Sequence, residues 1–385
     1  MLAKSPGQVA EYLAAIERLT PLIAEHRASF DEARRLPDVV FNALADAGLF
    51  RLWLPAALGG PELSPGEFMI VVEAASAVDG SIGWLVTNGS AMSRVGGYVA
   101  EPVARDWFRN PRAFIVSATG AVGSAQKVDR GYRVTGRWPF GSGSHHATHF
   151  MGLASTKGPD GRDEPPLCCY LERRDVEIHD TWRVSGLRGT GSCDFEVRDV
   201  FVPEQHTHAF IGPKPTQTGV LYRLPTLSIF PWAASVVPLG IARGAMDAFA
   251  ELAVGKTRLG TSVALRDREI VQSNFGRMQA LHRSGRAFMT ETMTDLIAAL
   301  PADEIQLINA KAIFRVACAN AAESALRIAD LITAEAGAAS IFETCTIERF
   351  ARDIQAAVKH VAMTPNSYIV AGRLGFGLDP GTTRL

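Results

Sequence analysis

Two stretches gather the side chains that could do chemistry. They are Gly136-Arg-Trp-Pro-Phe-Gly-Ser-Gly-Ser-His-His-Ala-Thr-His149 and, further on, Gly186-Leu-Arg-Gly-Thr-Gly-Ser192. Each is a Gly/Ser-rich loop beside a β-type run, Tyr132 to Val134 for the first and Phe195 to Val202 for the second. Together they bring small hydroxyls, backbone donors and aromatic rings into one place, a set that suits the planar, polar edge of a cofactor. Neither opens a helix within a βαβ unit, so neither is a phosphate cradle of the P-loop or G-x-G-x-x-G kind.

A second candidate is His360, which closes the run Arg349…Arg352-Asp353…Ala356-Ala357…His360. On a continuous helix Asp353 and His360, seven residues apart, share a face. A neutral imidazole there suits proton abstraction from a phenol or amine; the alternative is a helix histidine paired with a carboxylate. His145, His146 and His149 resemble a metal cluster, but their spacing does not put two ligands on one helix face. No His-Glu-x-x-His or Cys-x-x-Cys accompanies them, so no metal is expected. Arg258, in Lys256-Thr-Arg-Leu-Gly260, offers a planar fork for an anion or is simply solvated. Trp84 and Trp182 are either walls of a site or plain core.

The chain behind these residues has 385 positions, 47% hydrophobic and 21% charged, with a formal net charge of −1. That size and composition describe a globular protein of two or three subdomains. The charge gives no electrostatic case for nucleic acid or an anionic membrane. No uninterrupted apolar run reaches the roughly 18 residues of a membrane helix. The start, Met1-Leu-Ala-Lys-Ser-Pro6, lacks the apolar core of a signal peptide. Five cysteines, at 168, 169, 193, 318 and 345, show no metal-type spacing and read as reduced, mostly buried thiols. A cytoplasmic protein is expected.

Three segments must position the candidates. Residues 1–110 read as an N-terminal helical domain. Val9, Tyr12, Leu13, Ile16, Leu19 and Ile23 recur at helical steps, and Pro37 opens a second helix. Another helix is expected from about Pro65 to Val78, and one from near Ser81 that carries Trp84. Residues 111–228 read as a β domain, a small antiparallel barrel or sandwich of short runs (Ala113–Val116, Gln126–Val128, Tyr132–Val134, Phe150–Ala154, Cys168–Leu171, Phe195–Val202). Asp129-Arg-Gly131 and Gly158-Pro-Asp-Gly161 mark turns. Residues 229–385 read as a four-helix bundle, with helices expected near 232–254, 264–300, 303–334 and 346–363.

In that order, the chain resembles the acyl-CoA dehydrogenase superfamily. The resemblance rests on Leu36-Pro37…Ala47-Gly48-Leu49, Leu54-Pro55 and Gly59-Gly60, Asp79-Gly-Ser-Ile-Gly-Trp84, Trp138…Ser142-Gly143…His146-Ala147, Trp182…Ser192 and Arg349…His360. The last three are most similar to its two-component flavin-dependent monooxygenases, which act on phenols, steroid-derived phenols, thiophenes or amino sugars. The resemblance implies a mainly α fold with a central β domain and a C-terminal four-helix bundle. It implies that reduced FMN or FAD, supplied by a separate, transiently bound NAD(P)H-dependent reductase, reacts with O2 to give a C4a-hydroperoxide that oxygenates a small substrate. A homotetramer is implied as well.

For the site, the resemblance implies that Ser142 lies at the flavin N5 and O4 edge, the alternative being a turn serine that caps a strand. The loop Ser117-Ala118-Thr119-Gly120 would lay backbone amides against the ring, beside Phe140, and Arg258 would meet the flavin phosphate. His360 would act on the substrate, with Trp84, Asn88, His146 and Asp353 around it. Two departures stand out. The histidine that phenol hydroxylases often carry past Gly83-Trp84 is missing, with Asn88, Ser90, Met92 and Ser93 in that stretch. The Glu-Gly-Thr segment of many acyl-CoA dehydrogenases is absent after His360, where Val-Ala-Met-Thr-Pro365 follows. The alternatives are an acyl-CoA dehydrogenase or flavin oxidase with tightly held FAD, and a non-catalytic flavin-binding subunit.

Overall fold

The computed structural model describes residues 6–158 and 160–382. The start of the chain, read above for a leader, and Pro159 of the Gly158–Gly161 turn lie outside the described residues. Contacts divide the chain into two compact units. The first comprises residues 1–68, 85–184 and 188–226, and the second residues 69–84, 185–187 and 227–385.

In the first unit, α1 (Pro6–Ala33) and α2 (Asp38–Asp46) precede α3 (Pro65–Val78) and α4 (Gly80–Ser93), of which α3 begins and α4 ends in this unit. Pro37 takes the N-cap position of α2, one residue before the first helical turn. After α5 (Glu101–Arg109) the chain turns extended, and seven strands follow: β1 (Ile115–Val128), β2 (Gly131–Gly141), β3 (His149–Ser155), β4 (Leu167–Glu172), β5 (Glu177–His179), β6 (Cys193–Pro203) and β7 (Thr207–Ala209). They form one mixed sheet in the order β5-β6-β2-β1-β3-β4-β7. The pairing is not all antiparallel as expected, because β1 and β3 run parallel. The two short runs at 113–116 and 126–128 are the ends of the single long strand β1.

That merger matters for the site. Ser117-Ala118-Thr119 belong to a strand, not a loop. The β1–β3 register breaks between Ala118 and Gly123, and the β1–β2 register begins only at Ser124. Residues 119–122 therefore have no ladder partner on either side, which leaves backbone donors and acceptors for something other than sheet. Beneath them Trp138 is fully buried, and its Nε1–H donates to Leu153 O at 2.8 Å. A Cβ at Gly123, Gly136 or Gly152 would meet the indole at 2.5–2.6 Å, so only glycine lets three strands lie against this ring. Phe41 and Phe50 stack at 4.7 Å, and Phe114 meets both edge-on at 5.0–5.3 Å, in a second aromatic cluster.

The second unit is helical. After α6 (Val220–Arg223), which closes the first unit, come α7 (Thr226–Gly255), α8 (Glu269–Ala299), α9 (Glu304–Ala336), α10 (Thr346–Ala357) and α11 (Asn366–Gly375). Among the described residues, α7 is the one helix long and apolar enough to cross a membrane by length and composition, and 89% of that apolar window is buried inside the protein. The last expected helix, 346–363, stops at Ala357, and α11 follows it unforeseen.

Candidate active site

The first unit brings the first Gly/Ser stretch together with the end of the second, Arg188 to Ser192. Ser142 Oγ lies 2.8 Å from Ser192 Oγ, which lies 2.7 Å from Thr190 Oγ1. All three hydroxyls are buried. Backbone clamps hold them: Gly143 N–H donates to Thr190 O at 2.8 Å, and Ser144 Oγ donates to Gly191 O at 2.8 Å. The strand β2 reaches Ser142 through a distortion. Its register with β6 shifts between Trp138 and Gly141. Within that break Phe140 takes φ +65° and is 66% exposed. A phenylalanine held in the left-handed region with its ring on the surface carries strain of the kind concentrated at ligand sites. Its ring meets Trp182 edge-on at 6.3 Å.

These features fit a flavin ring. Neutral hydroxyl donors, an unpaired stretch of β1 backbone and an exposed aromatic face match a flat heterocycle with alternating acceptors. Ser142 was anticipated; Thr190 and Ser192 were not singled out, although both stand in the Gly186–Ser192 stretch.

The three clustered histidines go separate ways. His146 Nε2–H donates to Leu36 O at 3.0 Å, and its ring stacks on Phe41 at a centroid distance of 4.0 Å. Burial lowers its pKa to about 4. It ties the Ser142 loop to the start of α2, so the structure does not support the substrate-binding role expected of it. His145 lies 3.6 Å from Cys193 Sγ, and His149 packs on Trp107. A group not anticipated is Glu177, His179 and Glu196, whose ligand atoms lie within 4.8 Å of one another; Arg198 already holds Glu196. Asn88 is half-buried on α4.

The second unit holds the Arg-Asp motif and His360. Asp353 is 1% exposed, and its Oδ1 accepts the Leu187 N–H at 2.6 Å. Arg352 Nη1 donates to Ser185 O at 3.1 Å, while Arg349 Nε pairs with Asp79 Oδ2 at 2.8 Å. Asp79 in turn caps α4 by accepting from Ser81 N–H at 2.9 Å. Gly186 sits so close to Arg352 O that a Cβ would lie 2.1 Å from it. Burial, reinforced by the Asp79 charge and opposed by Arg349, raises the Asp353 pKa to about 7. Asp353 is thus a buried clasp on segment 185–187, and the expectation that it touches substrate is corrected.

His360 is not on the helix with Asp353. It is the N-cap of the short turn Val361–Met363 with φ −66° and ψ 138°, and its Nδ1 accepts the Ala362 N–H at 3.2 Å. An acceptor Nδ1 requires the neutral ring with its proton on Nε2. Desolvation and the Arg315 charge hold its pKa down, at about 4. The ring meets Trp84 edge-on at 5.7 Å. Its Nε2 is a donor, so the expected role as proton acceptor does not fit this tautomer. Arg315 Nη2 donates to Val361 O at 3.3 Å, which places a guanidinium beside this turn.

Arg258 is 44% exposed and pairs with buried Glu335 at 2.7 Å; Glu335 also accepts from Asn274 Nδ2 at 2.8 Å. A further cluster was not foreseen: Glu73 lies 3.0 Å from His282 Nε2 and 2.8 Å from Arg286 Nε.

The fold and the hydroxyl-lined, aromatic cradle define a flavoprotein of the acyl-CoA dehydrogenase type. Residues 14–104 match the acyl-CoA dehydrogenase N-terminal domain, and residues 232–365 match its C-terminal domain. The chain is 32% identical over 352 residues to indole-3-acetate monooxygenase of Pseudomonas putida, covering 91% of this chain and 90% of that protein. It is 29% identical over 385 residues to the oxygenase subunit HsaA, a flavin-dependent monooxygenase of Mycobacterium tuberculosis, covering 96% of each. The crystal structure of the HsaA monooxygenase from M. tuberculosis superposes with a TM-score of 0.86 at 27% identity, covering 97% of this chain and 99% of that one. XiaF from Streptomyces sp., in complex with FADH2 and glycerol, has the same fold, with a TM-score of 0.89 at 24% identity over 98% of both chains. The chain belongs to the flavin-dependent monooxygenases of the acyl-CoA dehydrogenase superfamily. It is the oxygenase component of a two-component system, using O2 and reduced flavin supplied by a separate reductase.

Proposed function

We propose that this oxygenase acts on a small, planar aromatic acid of the indole-acetate kind. The observation that carries this reading is the turn at His360: a neutral imidazole with its proton on Nε2, the Trp84 ring against it, and Arg315 bound to the next residue's carbonyl. An aromatic wall suits a flat ring, while a donor and a cation suit a carboxylate. An electron-rich ring such as indole needs no deprotonation to be a nucleophile, which agrees with a histidine that offers a proton rather than takes one. Bound reduced flavin supplies the activation of O2. In the first unit, Ser142 would hold the ring edge, with the unpaired backbone at 119–122 and Phe140 flanking it.

The reading extends to assembly and location. The large exposed side chains Ile305, Ile341, Phe342, Ile369 and Phe376 on the second unit support a homotetramer built through these helices, which light scattering on purified protein tests. The oxygenase works in the cytoplasm, where a transiently bound, NAD(P)H-dependent reductase feeds it.

Purified protein supplied with reduced flavin, O2 and either indole-3-acetate, indole or resorcinol tests the substrate class. The expected result is product from indole-3-acetate carrying one atom of labelled oxygen, with indole poorer and resorcinol poorest. Equal turnover of resorcinol overturns the reading. Bleaching of bound FAD by an acyl-CoA under nitrogen would instead identify a dehydrogenase.

A further inference from the structure

Helix α7 carries two prolines in its interior, Pro231 and Pro238. In an α-helix each backbone N–H donates to the carbonyl four residues earlier. Pro238 has no N–H, so the Ala234 carbonyl is without its helical donor, and the proline ring pushes that carbonyl outward. Ala234 and Pro238, four residues apart, lie on one face of the helix.

That face meets the candidate substrate site of the second unit. Ala234 forms a buried cluster with Ala322 of α9 and with Ala362 and Met363 of the turn that His360 caps. The half-buried Trp84 packs against the same cluster. Trp232, Val236, Val237 and Leu239 of α7 are fully buried, whereas Ala234 keeps 6% of its surface. Methyl side chains at 234, 322 and 362 leave backbone uncovered where bulkier groups would screen it. A buried carbonyl is almost always hydrogen-bonded. One released by a proline beside an aromatic wall calls for a donor.

We propose that the Ala234 carbonyl accepts the ring N–H of the substrate, which makes the oxygenase selective for a fused aromatic acid whose ring carries a hydrogen-bond donor. This rests on the reading that the substrate ring lies against Trp84.

An indole nitrogen donates and does not accept. In an indole-acetate the N–H and the acid arm leave the five-membered ring from different atoms. The N–H can therefore turn to α7 while the carboxylate meets His360 and Arg315. An isostere with sulfur in place of the N–H keeps the shape but leaves the carbonyl unpaired.

The test titrates indole-3-acetate and 1-benzothiophene-3-acetate into the protein carrying reduced flavin, under nitrogen, and compares the two Kd values. Wild type should bind the indole acid about 5- to 150-fold more tightly, the size of one buried acceptor left unpaired. Pro238→Ala returns an N–H to the Ala234 carbonyl, so the ratio should fall to near one, mainly through weaker binding of the indole acid. Pro238→Ser restores the same N–H if the alanine variant does not fold, and circular dichroism checks both. A wild-type ratio near one overturns the proposal. So does a ratio that survives both substitutions, since the ring N–H then has its partner elsewhere. Trp84→Ala separates this failure from that of the underlying reading. If it weakens both acids, the ring lies where the reading puts it, whatever the ratio. If it changes neither Kd, or if neither acid binds wild type, the placement of the substrate fails and the inference with it.

Discussion

Asp353 accepts the backbone N–H of Leu187 at 2.6 Å from inside the protein, across 166 positions of sequence. Its other oxygen, Oδ2, is buried with no hydrogen-bond partner. Leu187 has φ +54°, so the carboxylate secures a strained residue in the stretch that leads into Thr190 and Ser192.

This clasp makes stability depend on pH. The folded-state pKa of Asp353 is raised to about 7 from an ordinary 3.8, by burial first and then by Asp79. The folded protein therefore holds a proton that the unfolded chain releases between about pH 4 and 7, and this contribution to stability falls as pH rises through that window. Asp353→Asn keeps an acceptor for Leu187 and has no charge to bury. Thermal melts at pH 5 and pH 8 should show a smaller loss for Asp353→Asn than for wild type, by at least about 1 kcal/mol. Asp353→Ala should be destabilised by about 1–3 kcal/mol at both values, since it orphans the Leu187 N–H.

Arg349 compensates two buried carboxylates, pairing directly with Asp79 and lowering the pKa of Asp353. Arg349→Met leaves those groups without their cation. Breaking such a buried pair costs about 3–5 kcal/mol. Urea unfolding should show it, and adding Asp79→Asn should recover part of the loss.

Much of this architecture was legible in the chain. Helical periodicity located α3 and the long C-terminal helices, and turn residues located most strands. The parallel β1–β3 pair was not, because a parallel and an antiparallel strand carry the same residue pattern. His360 was misplaced for a related reason: seven-residue spacing implies one face only while the helix continues, and α10 ends at Ala357. Ser142 stood out by motif. The Gly186–Ser192 stretch stood out as well, but not which of its hydroxyls meets Ser142, because Ser142 and Ser192 are fifty positions apart and no local pattern encodes their contact.

Glu73 sets an acid limit for the helical unit. Burial pushes its pKa up, but contacts with His282 and Arg286 outweigh that and hold it below the ordinary value. A depressed folded pKa gives stability that is present above the unfolded pKa and lost as pH falls through the folded one. Glu73→Gln should flatten the decline in melting temperature below about pH 4.5. At neutral pH it should cost stability, because Arg286 and His282 lose their partner.

The last prediction separates a donor from a base at His360. With Nδ1 engaged by the Ala362 N–H, the useful proton is on Nε2. A glutamine can place an amide N–H near that position, whereas an alanine cannot. His360→Gln should therefore keep a substantial part of the turnover of the aromatic acid. His360→Ala should raise KM and release more hydrogen peroxide per flavin oxidised, because substrate is no longer held. Loss of a true general base would instead lower kcat by about 10²–10⁴-fold in both variants. The pH profile gives an independent check. A ring whose pKa is lowered to about 4 stays neutral across the working range, so wild type should show no limb near pH 6.5 that the Gln variant lacks. Such a limb, together with equal impairment of the Gln and Ala variants, would return His360 to the role of proton acceptor.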